Sequence, residues 1–100
     1  MGLRLKNKSV NLDGLSIDLV KAIPFIMQIW SQWGVRDLFI TSANDAAHME
    51  NSKHFSGNAI DIRSRNIPNC IEMCVEIREA LGPDFDVVIE SDHVHIEYDP

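Results

Sequence analysis

The chain is poor in basic residues. Nine lysines and arginines stand against fifteen aspartates and glutamates in 100 residues, a net charge of −6 with histidine neutral. Nucleic acid and anionic membrane both ask for a basic surface, so neither is expected as the main partner. Cysteine is scarce too. Cys70 and Cys74, the only two, lie four apart in a helical pattern, where a pair shares one face and is poorly placed to bridge. They read as buried free thiols in a reducing compartment, and no metal motif uses them. No apolar run approaches the ~20 residues of a membrane span. The opening MGLRLKNKSVNL has no apolar segment of the signal-peptide kind, so synthesis in the cytoplasm without export by the usual route is expected. Internal repeats and low-complexity stretches are missing. What is present is one small domain, residues 1–100, whose 45% hydrophobic content suffices for a modest core.

The elements follow from periodicity. Gly2–Leu5 suits a short strand or an arm packed on the body, and Asp13-Gly14 marks a turn. Ser16 is placed as a helix N-cap, with Val20, Ile23, Met27 and Trp30 as the apolar stripe behind it. Pro24 lies inside that pattern and predicts a kink or a split, since it removes a backbone donor and crowds the Val20 carbonyl. Gly34 closes the segment. Trp30 and Trp33 read as core and rim packing. Asp37–Ser42 suits a covered strand, residues 43–53 a surface loop, and Gly57 a turn. Asn58–Arg63 alternates, with Ala59, Asp61 and Arg63 on one side and Asn58, Ile60 and Ile62 on the other. Asn66 and Pro68 open a second helix with the stripe Ile67, Ile71, Cys74, Ile77 and Leu81, ended by Gly82-Pro83. Phe85–Ile89 and His93–Tyr98 then form a hairpin about Ser91-Asp92, with His93, His95 and Glu97 on one face and Val94 and Ile96 toward the core. The fold class is α+β: a small, mostly antiparallel sheet with two main helices packed on one face.

Two clusters carry chemistry. Ser52-Lys53-His54-Phe55-Ser56-Gly57-Asn58-Ala59-Ile60-Asp61 presents a histidine and an aspartate seven positions apart. Asp92-His93-Val94-His95 lies near the C-terminus. A carboxylate in mid-strand between two isoleucines is costly unless something pairs with it. His54, Asp61 and His95 form a donor set that suits one zinc ion per chain, with a fourth position left for water. Such an ion lowers the pKa of a bound water to roughly 7. Asp92, three before His95, is the candidate acid/base, provided the turn swings it toward the metal, and Glu90 is its rival. His93 shares the face of His95 and is a candidate for binding the substrate or tetrahedral intermediate, or for replacing His95 as ligand. His48 is left as a loop histidine.

Ser52-x-His54-x-x-Gly57-x-Ala59-x-Asp61, with Asp92-His93-Val94-His95 late in the chain, resembles the zinc D-alanyl-D-alanine carboxypeptidase family. That family includes vancomycin-resistance D,D-peptidases and the L-alanyl-D-glutamate endopeptidase lysins of phages, and it is related in fold to the hedgehog signalling domain. Phe39-Ile40-Thr41-Ser42 is similar to the strand before the family's active-site loop, and the resemblance covers residues 16–98. It implies zinc on His54, Asp61 and His95, Asp92 in the place of the acidic general base, and Ser52 on the rim. It also implies a substrate bond in the stem peptide of bacterial peptidoglycan. Where the family has Gly-Tyr-Arg, whose arginine contacts substrate, this chain has Ala43-Asn44-Asp45. An acid there would repel a substrate carboxylate, which favours endopeptidase cleavage or a substrate held by Lys53 or Arg63. A second reading keeps fold and metal but loses the chemistry, leaving a peptide- or partner-binding module. The short chain, with no separate wall-binding module, fits a phage lysis enzyme or a small virion-associated protein, and a monomer is expected.

Overall fold

In the strand Ala59–Arg63 (β3), Ile60 and Ile62 are fully buried, and in His93–Tyr98 (β5) Val94 and Ile96 are. A two-residue period puts each apolar set on one side of its strand and leaves the alternate residues for the other. The computed structural model describes residues 2–6, 12, 14–43, 57–65 and 67–100. Three more strands, Gly2–Leu5 (β1), Asp37–Ser42 (β2) and Phe85–Ile89 (β4), complete a five-stranded sheet ordered β1-β2-β3-β5-β4. β1 runs parallel to β2, and the other neighbours are antiparallel. Helices Ile17–Gln32 (α1) and Cys70–Leu81 (α2) cover the apolar side. Leu19, Ile26 and Trp30 of α1 and Met73 and Ile77 of α2 pack with Leu38, Ile40, Ile60, Ile62, Val94 and Ile96 of the sheet in one core. The expected α+β architecture, with its mostly antiparallel sheet and both helices on one face, is the observed one.

The helices keep most of the expected apolar stripes, and Val20 and Ile71 are the members that face solvent instead. In α1 the buried residues are Leu19, Ala22, Ile26, Ile29 and Trp30, whereas Val20, placed on the stripe above, is 47% exposed. Pro24 does not split the helix, which runs from Ile17 to Gln32 with Pro24 inside it. Pro24 and Val20 both lie on the exposed side, where water can satisfy the carbonyl that loses its donor. Ser16 does cap the helix, its Oγ accepting from the Leu19 N–H at 3.3 Å. The second helix starts at Cys70, later than Asn66–Pro68 suggests, because Asn69 takes a left-handed conformation (φ 59°) that a helix cannot include. Its buried residues are Met73, Cys74 and Ile77, and Ile71 faces solvent. Both cysteines are free thiols with sulfurs 4.0 Å apart, and burial, with Cys70 beside it, pushes the Cys74 thiol up to about 12.

Two details aim the side of the sheet away from the helices. The β2–β3 register shifts between Ile40 and Ser42, a bulge that lies against Asp61. Bulges bend a strand and re-aim its side chains. Gly57, at φ 79°, accepts the Ser16 N–H on its carbonyl at 2.9 Å, and a Cβ there would collide with the Gly14 carbonyl. The approach to β3 is thereby tied to the start of α1, and only glycine fits the join.

Candidate functional site

Asp61 on β3 stands directly opposite His95 on β5, and Arg63 opposite His93. Facing residues of an antiparallel pair hold their Cβ atoms about 4.5–5.5 Å apart, so the ladder alone brings side chains distant in sequence together. The His95 ring lies between two carboxylates. Its Nδ1 is 2.9 Å from Asp61 Oδ1 and its Nε2 is 2.7 Å from Glu97 Oε1. The hydrogen bond to Asp61, supported by that to Glu97 and opposed by burial, raises the imidazole to about 9. Without a metal, the ring therefore carries both protons at neutral pH and donates one to each acid.

His93 extends the group toward the hairpin turn. Its Nδ1–H donates to Asp92 Oδ1 at 2.8 Å, and its Nε2 is 3.9 Å from Asp61 Oδ1. The Asp92 side chain is 71% exposed, and the hydrogen bond from His93 holds its carboxyl below the usual aspartate range. Strand parity would put residues 92 and 95 on opposite faces. Asp92 avoids this by lying in the turn before β5, where it reaches the ring of the residue next to it. Glu90 is exposed, and its backbone N–H closes the hairpin on the His93 carbonyl at 2.8 Å. Of these two acids, Asp92 is the one bonded to the site.

The donor chemistry fits a cation. With bonds of about 2.0–2.1 Å at tetrahedral angles, two zinc ligands stand about 3.3 Å apart. Asp61 Oδ1 lies 2.9 Å from His95 Nδ1 and 3.9 Å from His93 Nε2, on either side of that value, but Asp61, His93 and His95 do not bring three ligand atoms within 4.8 Å of one another. A ligating imidazole commonly gives its far N–H to a carboxylate, which fixes the ring and its tautomer. Glu97 occupies that position on His95. His54, the third ligand of the sequence reading, lies outside the described residues, as do Ser52, Lys53, Asn44 and Asp45. Among the described residues, three ligand atoms mutually within 4.8 Å occur at Asp86, Glu97 and Asp99. Two of those acids are exposed, and Glu97 already accepts from His95, so the group is an acidic rim of the same face.

Beside His93 opens a cleft of about 320 Å³ lined by Lys6, Thr41, Arg63, Arg65, Asp92 and His93. The Arg63 guanidinium lies over the Phe39 ring, 4.6 Å from its centroid. The structure thus gathers Asp61, Arg63, Asp92, His93 and His95 at one part of the sheet. The role of Glu97 escapes sequence reasoning, although the His95-x-Glu97 spacing on a strand was the available signal. Lys6 and Arg65 carried none, since only the sheet order brings the end of β1 toward the exit of β3. Among the described residues no helix is long and apolar enough to cross a membrane. Neither a known protein-family model nor a curated protein sequence matches the chain.

Proposed function

We propose that this chain is a zinc-dependent peptidase that cuts a peptide bond in the stem peptide of bacterial peptidoglycan. The observation that carries the reading is the Asp61–His95 pair, 2.9 Å apart across the β3–β5 ladder with Glu97 on the far nitrogen of the ring. It is supported by the run Ser52-x-His54-x-x-Gly57-x-Ala59-x-Asp61 and by Asp92 three residues before His95. Asp61 and His95, with His54, would hold the ion, which when bound supplies Lewis acidity and a water of roughly neutral pKa. Glu97 keeps the Nε2 proton of His95, so Nδ1 is the nitrogen that can turn a lone pair to a cation. Asp92 is ionised at neutral pH and free enough in the turn to take a proton from the attacking water and pass it to the leaving amine. His93, oriented by Asp92, is placed to donate to the oxygen that gains charge as the carbonyl is attacked.

Metal analysis and muropeptide digestion test the reading. Protein grown with zinc should carry one ion per chain, and Asp61→Ala should carry none. Asp92→Ala should keep its zinc and lose hydrolysis by about 10²–10⁴-fold. Wild type that holds no metal, or that releases new amino groups no faster than Asp92→Ala does, defeats the peptidase reading. The replacement of the family's arginine segment by Ala43-Asn44-Asp45 favours a second reading, a peptide-binding module that keeps the metal without the chemistry. Zinc binding with no digestion by wild type is its signature.

A further inference from the structure

Acids outnumber bases by fifteen to nine in this chain, yet the cleft beside His93 inverts the ratio. Lys6, Arg63 and Arg65 line it with a single acid, Asp92, whose Oδ1 is already taken by the His93 N–H. The three cations arrive from separate parts of the fold. Lys6 follows β1, held by its backbone N–H on the Ile40 carbonyl at 2.9 Å. Arg63 ends β3 opposite His93, with its planar group laid over Phe39. Arg65 stands just beyond the point where the Ser64 N–H binds the Asp92 carbonyl at 3.0 Å. Of the other arginines, Arg4 pairs with Asp37 at 3.8 Å and Arg78 donates to the Val87 carbonyl at 2.7 Å. Among the described residues, no carboxylate forms an ion pair with Lys6, Arg63 or Arg65.

Three like charges around one concavity repel one another and focus a positive field into it. An anion in the cleft relieves both. The chemistry of the anion follows from the donors. A guanidinium stacked on a ring keeps its N–H edge for a planar, two-oxygen acceptor, and an ammonium adds a point charge beside it. The cleft also shares His93 with the candidate metal site, so an occupant of the cleft would lie beside whatever that site holds.

We propose that Lys6, Arg63 and Arg65 form a carboxylate-binding subsite, and that the peptide taken by this protein carries a carboxylate close to the bond presented to His93 and His95. The identity of the occupant as a substrate rests on the peptidase reading; the binding does not. Two sources share this chemistry. A terminal carboxylate makes the protein an exopeptidase, and the carboxylate of an acidic residue within the peptide makes it an endopeptidase.

Titration of metal-free protein in chelator, at low ionic strength and followed by amide NMR shifts, tests the subsite apart from any hydrolysis. Two pairs of probes are used. One is N-acetyl-D-alanyl-D-alanine against its C-terminal amide. The other is N-acetyl-L-alanyl-D-glutamic acid α-amide against the corresponding D-glutamine α-amide. In at least one pair the acid should bind about tenfold more tightly than the amide, with shifts at Lys6, Thr41, Arg63 and Arg65. The pair that shows the preference identifies the source of the carboxylate. Lys6→Gln with Arg65→Gln, both at exposed positions that leave the core untouched, should erase it, and Arg63→Gln should do the same. Equal affinities within both pairs, no binding by any probe included, overturn the subsite, as does a preference that survives the double variant. A hydrolase without the preference leaves the proposed function standing, and a preference without hydrolysis leaves the subsite standing.

Discussion

Along β3 and β5, side chains alternate between two surroundings. Toward the helices point Ile60, Ile62, Val94 and Ile96, all fully buried. Away from them point Asp61, Arg63, His93, His95 and Glu97, on the same backbone and in the same register. The first row is held by a force without direction. Burying such a side chain stabilises by about 1.5–3 kcal/mol, and another apolar group of similar volume would do nearly as well. The second row is specific atom by atom: one nitrogen of His95 to Asp61, the other to Glu97, and one nitrogen of His93 to Asp92. The Asp61–His95–Glu97 side chains are only 14–21% exposed, and taking charges partly out of water costs much of what pairing returns. Folding therefore explains the first row, whereas apolar residues of similar size could replace the second at little net cost, so its retention calls for another reason. A row that adds little to stability, yet is bonded throughout, is where function is expected.

The sharpest way to break this contrast is to cut one residue from each row. Ile96→Ala removes buried methylenes from the centre of the core and should cost about 2–5 kcal/mol, lowering the melting temperature by 10 °C or more at the order-of-magnitude level. Its neighbour Glu97, changed to Gln and melted in chelator, should shift stability by only about 1 kcal/mol, since the amide oxygen still accepts from His95. Calorimetry of both variants decides it. Equal losses would mean that the polar row is structural after all.

Glu97→Gln then probes the second row on its own terms. The amide still reaches His95 Nε2, but it no longer supplies the negative charge that fixes the N–H there and makes the other nitrogen a better donor. Zinc affinity, measured by competition with a chromophoric chelator, should fall about 10–100-fold while the fold is kept. Unchanged affinity would remove Glu97 from the site and return it to the acidic rim with Asp86 and Asp99.

How far the sequence is legible follows the same division. The strands Asp37–Ser42, Phe85–Ile89 and His93–Tyr98 can be read to the residue, and in His93–Tyr98 a two-residue period with one side covered allows no slippage. The meeting of Asp61 with His95 is foreshadowed by the shared face and by the cost of an unpaired carboxylate in a strand. Glu97 and the Lys6–Arg63–Arg65 cleft are less visible, since a partner two residues along a strand resembles ordinary surface alternation, and sheet order is a tertiary fact. Helix phase is hardest to read. In α1 an apolar residue occurs at nearly every position from Leu19 to Ile23, so Val20 and Leu19 are equally plausible core residues until the sheet selects one.

Ile71 puts the smallest number on that lesson. As a member of an Ile67–Ile71–Cys74 stripe it would be a core residue, and replacing it with Gln would cost what a buried isoleucine contributes. Asn69 prevents this. With φ at 59°, it holds Ile67 and Pro68 outside the helix, and the stripe runs through Met73, Cys74, Ile77 and Leu81 without Ile71. Ile71, one residue into the helix, is left 66% exposed. Ile71→Gln should therefore change the unfolding free energy by no more than about 0.5 kcal/mol in a denaturant titration, because glutamine is at least as good a helix former and little apolar surface returns to water. A loss of 2 kcal/mol or more would place Ile71 in the core and α2 one step out of the phase described, and would move Met73 and Ile77 away from the sheet on which the site is built.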